Sequence, residues 1–266
     1  SGGVFMNVKA NQKIADLPEV ERVFVMPSAG DESSTIGACY LAYPKPEIQP
    51  VKNLYWGPEF SNEEIKKFLD DGGYFEKYKI EEIENIEEEI AQLLSKGEVI
   101  ANLSGKMEWG ARALGNRSIL ANPSDPNTIR IINEQIKMRD FWMPFTPSIL
   151  TERADDYLVN PKKISAPYLV LAFVSTKLAR KHLPAAMHPY DFTVRPQIIE
   201  KGWNPRYHKI IKEFENLTGI GAVLNTSFNL HGLPIVLGPK EAMHAFENSD
   251  LKYLVLENYL ISKTHK

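Results

Sequence analysis

A glycine-rich cationic segment at residues 105–118 is the first part of the sequence that could do chemistry. From Trp109 to Ser124 the sequence contains two arginines, Arg112 and Arg117, and no acidic residue. Glycines let backbone N–H groups approach an anion closely, and a guanidinium binds carboxylate or phosphate through parallel hydrogen bonds. The segment therefore favours anion binding. A basic surface loop is the alternative, because the spacing matches neither the Walker nor the dinucleotide-binding pattern.

A second cationic group lies at the end of a predicted helix. Lys137 and Arg139 fall where a helix over about 128–137 should end, and the helix dipole alone favours cations at that position. Aromatic residues and prolines follow directly, in residues 141–147. A cation beside rigid apolar side chains is also typical of a ligand pocket, so both interpretations stay open.

Polar residues follow the apolar run 222–224. Residues 225–232 contain two asparagines, two hydroxyl side chains and one histidine, His231. Such residues make a poor core but a good hydrogen-bonding rim at the carboxyl end of a strand. A single histidine is more often structural than catalytic, so His231 carries little weight alone. Arg195, within residues 193–197, is a fourth candidate cation.

Strands that alternate with helices must position these segments. Apolar runs predict strands over 4–8, 23–26, 99–103, 168–174, 222–225 and 253–256. Apolar spacing and capping signals predict helices over 61–69, 81–96, 128–137, 206–217 and 239–248. The helix over 81–96 carries one apolar stripe and an acidic face, which is most simply a solvated surface. The alternation predicts an α/β fold around a twisted sheet with flanking helices.

The composition excludes several classes of protein. The 266-residue chain has 31 Lys and Arg against 34 Asp and Glu, which gives a formal net charge of −3 and disfavours nucleic acid as a partner. A single cysteine, Cys39, excludes an intrachain disulfide and a cysteine-based zinc site. The longest apolar run, about Tyr168–Val174, is far shorter than the ~20 residues that cross a bilayer. Without a membrane span or an opening signal segment, we expect a cytoplasmic protein with no membrane partner.

A composition shift predicts a domain boundary. Three prolines occur within Tyr43–Pro50, and a stretch so rich in proline is unsuited to a helix interior or a central strand. Before this stretch, residues 34–43 read as a buried helix of small residues that includes Cys39. The chain begins at Ser1 without Met, so we expect a piece of a longer protein with more chain upstream.

These segments together resemble the carbamoyltransferase family of the nodulation protein NodU and the antibiotic O-carbamoyltransferases CmcH and TobZ. Residues 105–120 are similar to the family's G-R-M-E-F-G-P-R-A-L-G-N-R-S-I-L. Residues 225–232 are similar to its N-T-S-F-N-x-x-G, and residues 193–197 to its T-x-R-P-Q. The resemblance covers nearly the whole chain.

The resemblance implies two domains. In the family, an actin-like domain related to sugar kinases precedes a YrdC-like domain. Residues 1–43 would then be the carboxyl-terminal end of the actin-like domain and residues 44–53 a proline-rich linker. Residues 54–266 would be the YrdC-like domain, a twisted sheet with flanking helices.

The resemblance also places ligands on the amino-terminal segment. Gly2, Gly3 and Asn7 match the family's G-G-V-x-x-N at its nucleotide site. Asp31 matches a Gly-Asp pair that supplies a metal-ligating carboxylate, for Fe²⁺ or another divalent metal in the full-length protein. The histidine pair that completes that metal site lies upstream in the family, and no histidines here have its close spacing. A helix cap is therefore the alternative for Asp31.

The implied reaction is ATP-dependent transfer of a carbamoyl group from carbamoyl phosphate to an acceptor hydroxyl, through a carbamoyl-adenylate, with Mg²⁺ accompanying ATP. Two highly anionic reactants share a pocket, so the chemistry needs charge neutralisation and alignment more than a protein nucleophile. By motif, the catalytic residues are Lys137, Arg112 and Arg139, and the residues that bind substrate or nucleotide are Arg117, Asn116, Ser118, Arg195, Asn225, Ser227, Asn229 and His231.

Two positions depart from the family's pattern. Met143 stands where many relatives have the arginine of R-P-F, and His231 where many have the arginine of N-x-R-G. One phosphate-facing cation would be missing at the first position, and charge at the second would depend on pH.

Other functions stay open beside this one. The chain could be a noncatalytic YrdC-like module that binds anions or RNA, with Trp109, Phe141 and Trp142 stacking on bases. It could also be a fragment that is inactive without its missing amino-terminal domain. For the enzyme, the expected partners are carbamoyl phosphate, ATP, a small-molecule acceptor with a hydroxyl group, that missing domain and a second copy in a homodimer.

Overall fold

A mixed β-sheet organises the chain. A computed structural model describes residues 2–43, 47, 49–137 and 143–263. Within them, eight strands form one sheet in the order β1-β11-β10-β2-β3-β9-β4-β8, and three short strands form a second sheet in the order β5-β6-β7. The strands are β1 Lys79–Glu82, β2 Ile100–Leu103, β3 Arg117–Ala121, β4 Thr146–Leu150, β5 Leu158–Val159, β6 Phe173–Ser175, β7 Thr193–Val194, β8 Gln197–Ile199, β9 Ala222–Ser227, β10 Tyr253–Leu256 and β11 Tyr259–Ser262.

The described residues also form helices. They are α1 Val8–Asp16, α2 Ser34–Ala42, α3 Asn62–Asp71, α4 Tyr74–Lys77, α5 Ile86–Ser95, α6 Asn127–Ile132, α7 Ala154–Tyr157, α8 Lys177–His182, α9 Pro205–Thr218 and α10 Pro239–Glu247. A π-helical turn, Asn133–Lys137, extends α6, and 3₁₀ turns occur at Gly3–Met6, Asp31–Ser33, Thr151–Arg153 and Pro184–Ala186. Local sequence explains several ends: Ser61 and Glu64 form a capping box on α3, and Gly219 ends α9 in the left-handed conformation.

Each face of the large sheet carries a hydrophobic core. Helices α5 and α9 cover one face with buried side chains that include Ile90 and Phe214. Helices α3 and α10 cover the other face with side chains that include Leu69 and Phe246. Because successive strand residues point to opposite faces, Leu120 packs into the first core and its neighbour Ile119 into the second. The α/β architecture with flanking helices is therefore confirmed.

The strand registers bring the chemistry-bearing segments to one edge of the sheet. Ser118 at the start of β3 pairs with Ser227 at the end of β9, and Thr146 at the start of β4 pairs with Asn225. Gln197 at the start of β8 lies opposite Ser148 of β4. Residues 105–118, 143–146, 195–197 and 225–231 therefore meet at this edge although they are far apart in sequence.

Several local predictions are wrong. The helix expected over 81–96 begins only at Ile86, because Lys79–Glu82 forms strand β1 and pairs antiparallel with β11. Of the strand expected over 168–174, only its end lies in a strand, β6, because a turn interrupts it at Leu169, whose φ is +60°. Residues 4–8 and 23–26 form no strand; the first range lies in a 3₁₀ turn and the start of α1.

The amino-terminal segment differs most from expectation. Helix α2 was expected to be buried, but none of its residues is buried, and Cys39 is exposed. Its apolar composition is therefore not matched by packing within the described residues. The linker expected over 44–53 lies partly outside those residues, and its role as a domain boundary stays a prediction. Among the described residues, no helix is both long and apolar enough to cross a membrane.

Helix α1 is held to the rest of the chain by polar contacts. Lys9 Nζ donates to Asp191 Oδ2 at 2.5 Å and to Thr193 Oγ1 at 2.6 Å. The buried Asn11 donates to the carbonyl oxygen of Val170 at 2.7 Å. Lys162 Nζ donates to the carbonyl oxygens of Ala15, Leu17 and Val20, where the helix dipole favours a cation.

The Lys9–Asp191 pair predicts a pH-dependent contribution to stability. Burial raises the pKa of Asp191, but hydrogen bonds from Lys9 and Thr193 outweigh burial and hold that pKa well below its ordinary value of 3.8. The stabilisation is therefore fully present above pH 3.8 and is lost as the pH falls through the folded-state pKa. Urea denaturation should show wild type more stable than Asp191→Asn at pH 7, with a difference that shrinks below pH 3.8.

The matched control is Asp155→Asn, which removes the exposed pair between Lys163 and Asp155. This change should have little effect at any pH, because exposed ion pairs contribute only about 0–1 kcal/mol. A difference between wild type and Asp191→Asn that stays constant from pH 7 to pH 3 would contradict the prediction.

Candidate active site

One buried carboxylate organises the glycine-rich loop. Glu108 is only 6% exposed, and its Oε1 accepts backbone N–H groups from Leu114 at 2.6 Å, Asn116 at 2.8 Å and Arg117 at 3.2 Å. The sequence predicts that the backbone of this segment cradles an anion. In the structure that cradle holds the protein's own carboxylate.

Further hydrogen bonds hold the carbonyl groups of the same loop. Tyr55 Oη and Gln197 Nε2 both donate to the Leu114 carbonyl, at 2.8 and 3.0 Å. The Gly115 carbonyl accepts from Asn102 Nδ2 at 2.8 Å. Both N–H groups and carbonyl groups of this loop are thus hydrogen-bonded, and these bonds hold the loop in one conformation.

Arg112 extends from this loop without a partner in the part of the chain that the structure describes. Its side chain has no hydrogen bond or ion pair with any described residue, and burial lowers the pKa of its guanidinium from the ordinary value. A partly buried cation without a partner is unfavourable unless an anion reaches it. Arg112 is therefore the side chain of this edge most suited to bind an anionic ligand.

Arg112 lies on a cavity of about 100 Å³ that also touches Arg195, Asn225 and Ser227. The structure thus brings together four residues that the sequence singles out. Two cationic side chains, a hydroxyl and an amide suit a phosphate or carboxylate group bound together with a hydrogen-bonding group.

Asn225 is fixed at the back of this cavity. It is 1% exposed, and its Nδ2 donates to the Ala113 carbonyl at 3.0 Å, to Ser148 Oγ at 3.3 Å and to Gln197 Oε1 at 3.4 Å. Its Oδ1 is buried and accepts no hydrogen bond from a described residue. A buried acceptor without a donor is costly, so this amide is primed to accept an N–H or O–H group.

Lys137 joins the site through Ser227. It is 1% exposed, and its Nζ donates to Asn229 Oδ1 at 2.6 Å and to Ser227 Oγ at 3.2 Å. Ser227 Oγ in turn donates to Asn229 Oδ1 at 2.7 Å. The π-helical turn Asn133–Lys137 delivers this lysine, and such turns are frequent at functional sites. His231 lies outside the cluster: it is exposed, and its Nδ1 lies 2.9 Å from the Lys137 carbonyl, which fits an Nδ1–H donor.

A larger cavity of about 580 Å³ adjoins the small one, and the two share Arg112, Arg195 and residues 144–146. Lys9 of helix α1 and His188 contribute polar groups to its wall, while the other lining residues are mostly apolar. This volume lies within the ~300–1,000 Å³ range of small-molecule sites.

Three residues predicted to bind substrate make their hydrogen bonds within the protein. Arg117 is 0% exposed, and its guanidinium donates to the carbonyl oxygens of Pro58, Ser104, Gly105, Asn116 and Leu237 at 3.0–3.2 Å. Asn116 bonds to the Lys106 carbonyl and to Asn204, and Ser118 Oγ accepts from the Gly115 N–H. These contacts favour a structural role, because the polar groups are already used.

The remaining predicted residues lie outside the cavities. Asn7 is the N-cap of helix α1, and Gly2 and Gly3 lie at its preceding 3₁₀ turn. Asp31 begins another 3₁₀ turn and is exposed. Among the described residues, no three histidine, cysteine or acidic side chains are grouped to hold a metal, so we derive no metal chemistry from Asp31. Arg139, Phe141 and Trp142 lie outside the described residues.

A family model for the carbamoyltransferase C-terminus matches residues 91–263, which include this whole edge of the sheet. The chain belongs to this family. Its sequence is 39% identical over 269 residues to an uncharacterized protein of Methanocaldococcus jannaschii, covering 99% of this chain and 44% of that protein. It is 32% identical over 272 residues to nodulation protein NolNO of Sinorhizobium fredii, covering 99% of this chain and 39% of that one.

Nodulation protein U of Rhizobium fredii is 30% identical over 234 residues, covering 87% of this chain and 38% of that protein. This member of the carbamoyltransferase family thus spans about half or less of the length of these relatives. Full-length HypF in its phosphate- and nucleotide-bound form aligns with a TM-score of 0.44 and 15% identity, over 65% of this chain and 21% of HypF.

The sequence-based predictions for this family member missed two residues of the site. Glu108 and Gln197 both lie inside the motifs that carry the resemblance, but neither is among the predicted site residues. The signal for Glu108 is an acid directly before an arginine-rich loop that has no other acid. The signal for Gln197 is a polar residue at the start of an otherwise apolar strand.

The tight packing of the loop predicts a strong effect of a small substitution. Gly115 has φ +115°, and a Cβ there would lie 2.3 Å from the ring of Tyr207. Gly115→Ala should cost about 2–4 kcal/mol of unfolding free energy, from the left-handed backbone and from overpacking together. Urea denaturation followed by far-UV circular dichroism measures this cost.

Gly97→Ala is the matched control, since Gly97 has φ +86° and open space around the added Cβ. It should cost only about 1–2 kcal/mol, the backbone part alone. Equal losses in the two variants would show that Tyr207 yields to the new methyl group.

Proposed function

We propose that this chain binds carbamoyl phosphate and ATP at the Arg112 edge and catalyses the carbamoyl-activating step of an ATP-dependent carbamoyltransferase. Its family membership supports carbamoyl transfer. The relatives' greater length supports a larger protein in which the carbamoyl group then passes to an acceptor hydroxyl.

The observation that carries the proposal is Arg112, a desolvated guanidinium without a partner among the described residues, at the junction of the two cavities. Arginine binds phosphate with planar, parallel hydrogen bonds, and the low dielectric strengthens them. Carbamoyl phosphate offers Arg112 a phosphate group, and its amide offers an N–H donor for Asn225 Oδ1.

The two cavities suit two reactants. The cavity of about 100 Å³ suits the small carbamoyl phosphate, and the adjoining cavity of about 580 Å³ suits the nucleotide. Because Arg112 and Arg195 line both, they lie where the negative charges of both reactants meet. Mutual repulsion of the reactants is the main barrier to bringing them together, so shared cations are the principal contribution of the protein.

The proposed reaction has three steps. Water cleaves carbamoyl phosphate to carbamate and inorganic phosphate. A carbamate oxygen then attacks the α-phosphorus of ATP, the bond to the β-phosphate oxygen breaks, and pyrophosphate leaves with its electron pair. The acceptor hydroxyl oxygen attacks the carbamoyl carbon of the adenylate, its proton passes to water, and AMP leaves.

The side chains of the chain neutralise and align in these steps. Arg112 and Arg195 hold phosphate oxygens, and Asn225 orients the carbamoyl amide. Lys137, buried against Asn229 and Ser227, adds positive charge beside the small cavity as negative charge moves onto the leaving group. Mg²⁺ accompanies ATP as its counter-ion.

The proposal predicts binding and turnover that depend on Arg112. The 266-residue chain with Mg²⁺, ATP and carbamoyl phosphate should release pyrophosphate, and calorimetry should detect binding of carbamoyl phosphate. Arg112→Ala should weaken that binding by about 10- to 100-fold, since a charge-assisted pair contributes about 1.5–3 kcal/mol. Lys137→Ala should abolish pyrophosphate release.

Arg130→Ala is the control, because Arg130 is exposed and pairs only with Glu134 on the surface of α6. It should leave binding and turnover unchanged. The site assignment fails if the wild-type chain binds neither carbamoyl phosphate nor ATP. Binding of RNA that weakens with salt, without turnover, would favour the noncatalytic alternative. Ligand binding without turnover would point to a need for the rest of the polypeptide.

A further inference from the structure

The position of the Arg112 side chain depends on the course of its main chain. With no hydrogen bond or ion pair to another described residue, the guanidinium is located only by packing and by the course of the backbone around residue 112. A ligand therefore meets Arg112 in the right place only if the peptide groups that follow it are fixed. What fixes them decides how well the site binds.

Glu108 fixes three of the five peptide N–H groups that follow Arg112, those of residues 113–117. Its Oε1 accepts the N–H groups of Leu114, Asn116 and Arg117, which closes the stretch 108–117 on a single oxygen atom. Hydrogen bonds to an ionised acceptor are roughly twice as strong as those between neutral groups. No neutral side chain of the same size offers three donors an equal acceptor.

The placement of Glu108 also resolves an electrostatic problem. A carboxylate close to an anion-binding site would repel the ligand, but the dipoles of the three N–H groups that converge on Glu108 Oε1 offset its negative charge. The same donors, left free, would form an anion-binding nest that competes with Arg112. The buried carboxylate occupies that nest and leaves Arg112 as the cation of the loop that faces the cavity.

We propose that Glu108 is the positioning residue for Arg112, and that its carboxylate fills the loop's internal anion site and thereby directs the external anion onto the guanidinium. This inference rests on the proposed function, because it assigns Glu108 a part in binding carbamoyl phosphate at the same cavity.

The test compares Glu108→Gln with wild type. Glutamine keeps the size of the side chain but removes the charge, so the three N–H bonds weaken. Calorimetry should show carbamoyl phosphate and inorganic phosphate bound about tenfold more weakly, which corresponds to 1.4 kcal/mol. Amide hydrogen exchange at Leu114, Asn116 and Arg117 should be faster than in wild type, while exchange in α9 stays the same.

A double-mutant cycle separates positioning from general destabilisation. If Glu108 acts through Arg112, then Glu108→Gln should cause no further loss of phosphate affinity in an Arg112→Ala background, although the thermal stability falls by the same amount in both backgrounds. An equal loss of affinity in the two backgrounds would overturn the inference.

Glu215→Gln is the matched control. Glu215 is also a largely buried carboxylate, but it bonds to Arg153 and Lys212 and lines neither cavity. It should lower thermal stability without changing phosphate affinity. If Glu215→Gln weakened binding as much as Glu108→Gln, the effect would be structural and the inference would fail.

The outcomes also separate this inference from the proposed function. If wild type binds no phosphate compound, the proposed function fails first. If wild type binds and Arg112→Ala binds more weakly, the proposed function stands, and the cycle with the Glu108 variants decides the positioning role. If Glu108→Gln does not fold, Glu108→Asp provides the cycle, since it keeps the charge and retracts the oxygen.

Discussion

Three backbone N–H groups converge on one oxygen of Glu108, and the candidate site depends on this convergence. The loop after Glu108 carries no regular secondary structure until β3 begins at Arg117. Without an internal acceptor, its amides would turn to water and the loop would sample many conformations. The buried carboxylate replaces water at these amides, and the sheet edge then presents Arg112 in one orientation.

Arg117 complements Glu108 in its choice of partners. Its guanidinium donates to five backbone carbonyl oxygens, whereas Glu108 Oε1 accepts three backbone N–H groups. A buried cation and a buried anion thus bond to main-chain groups of opposite polarity. Each buried charge has its partners within the protein, so the desolvation cost is offset. Arg112 has no such partner among the described residues, and a bound anion would offset the cost of its burial.

The sequence predicted the fold class well and the details of single residues less well. Strands such as Tyr253–Leu256 were clear because apolar β-branched and leucine runs are short and bounded by turn signals. Strand β1, Lys79–Glu82, was missed because three of its four residues are charged and its pairing with β11 at the edge of the sheet is nonlocal. No local pattern reveals such a pairing.

In the candidate site, too, residue types could be predicted from the sequence but the contacts of single residues could not. Arginine and lysine were recognised by type, and the fold brings Arg112, Arg195 and Lys137 to one edge. Type alone did not separate Arg112 from Arg117, which stand five positions apart and have opposite uses. The difference lies in which carbonyl groups surround each side chain, and those carbonyls come from residues as distant as Pro58 and Leu237.

The exposed thiol of Cys39 has a practical consequence. It is the only cysteine in the sequence and lies on helix α2, whose residues are all accessible. A maleimide dye would therefore label one known position, which precedes the proline-rich stretch in the sequence. Fluorescence anisotropy of that single dye would report the rotational motion of residues 34–42, without any need to replace other cysteines.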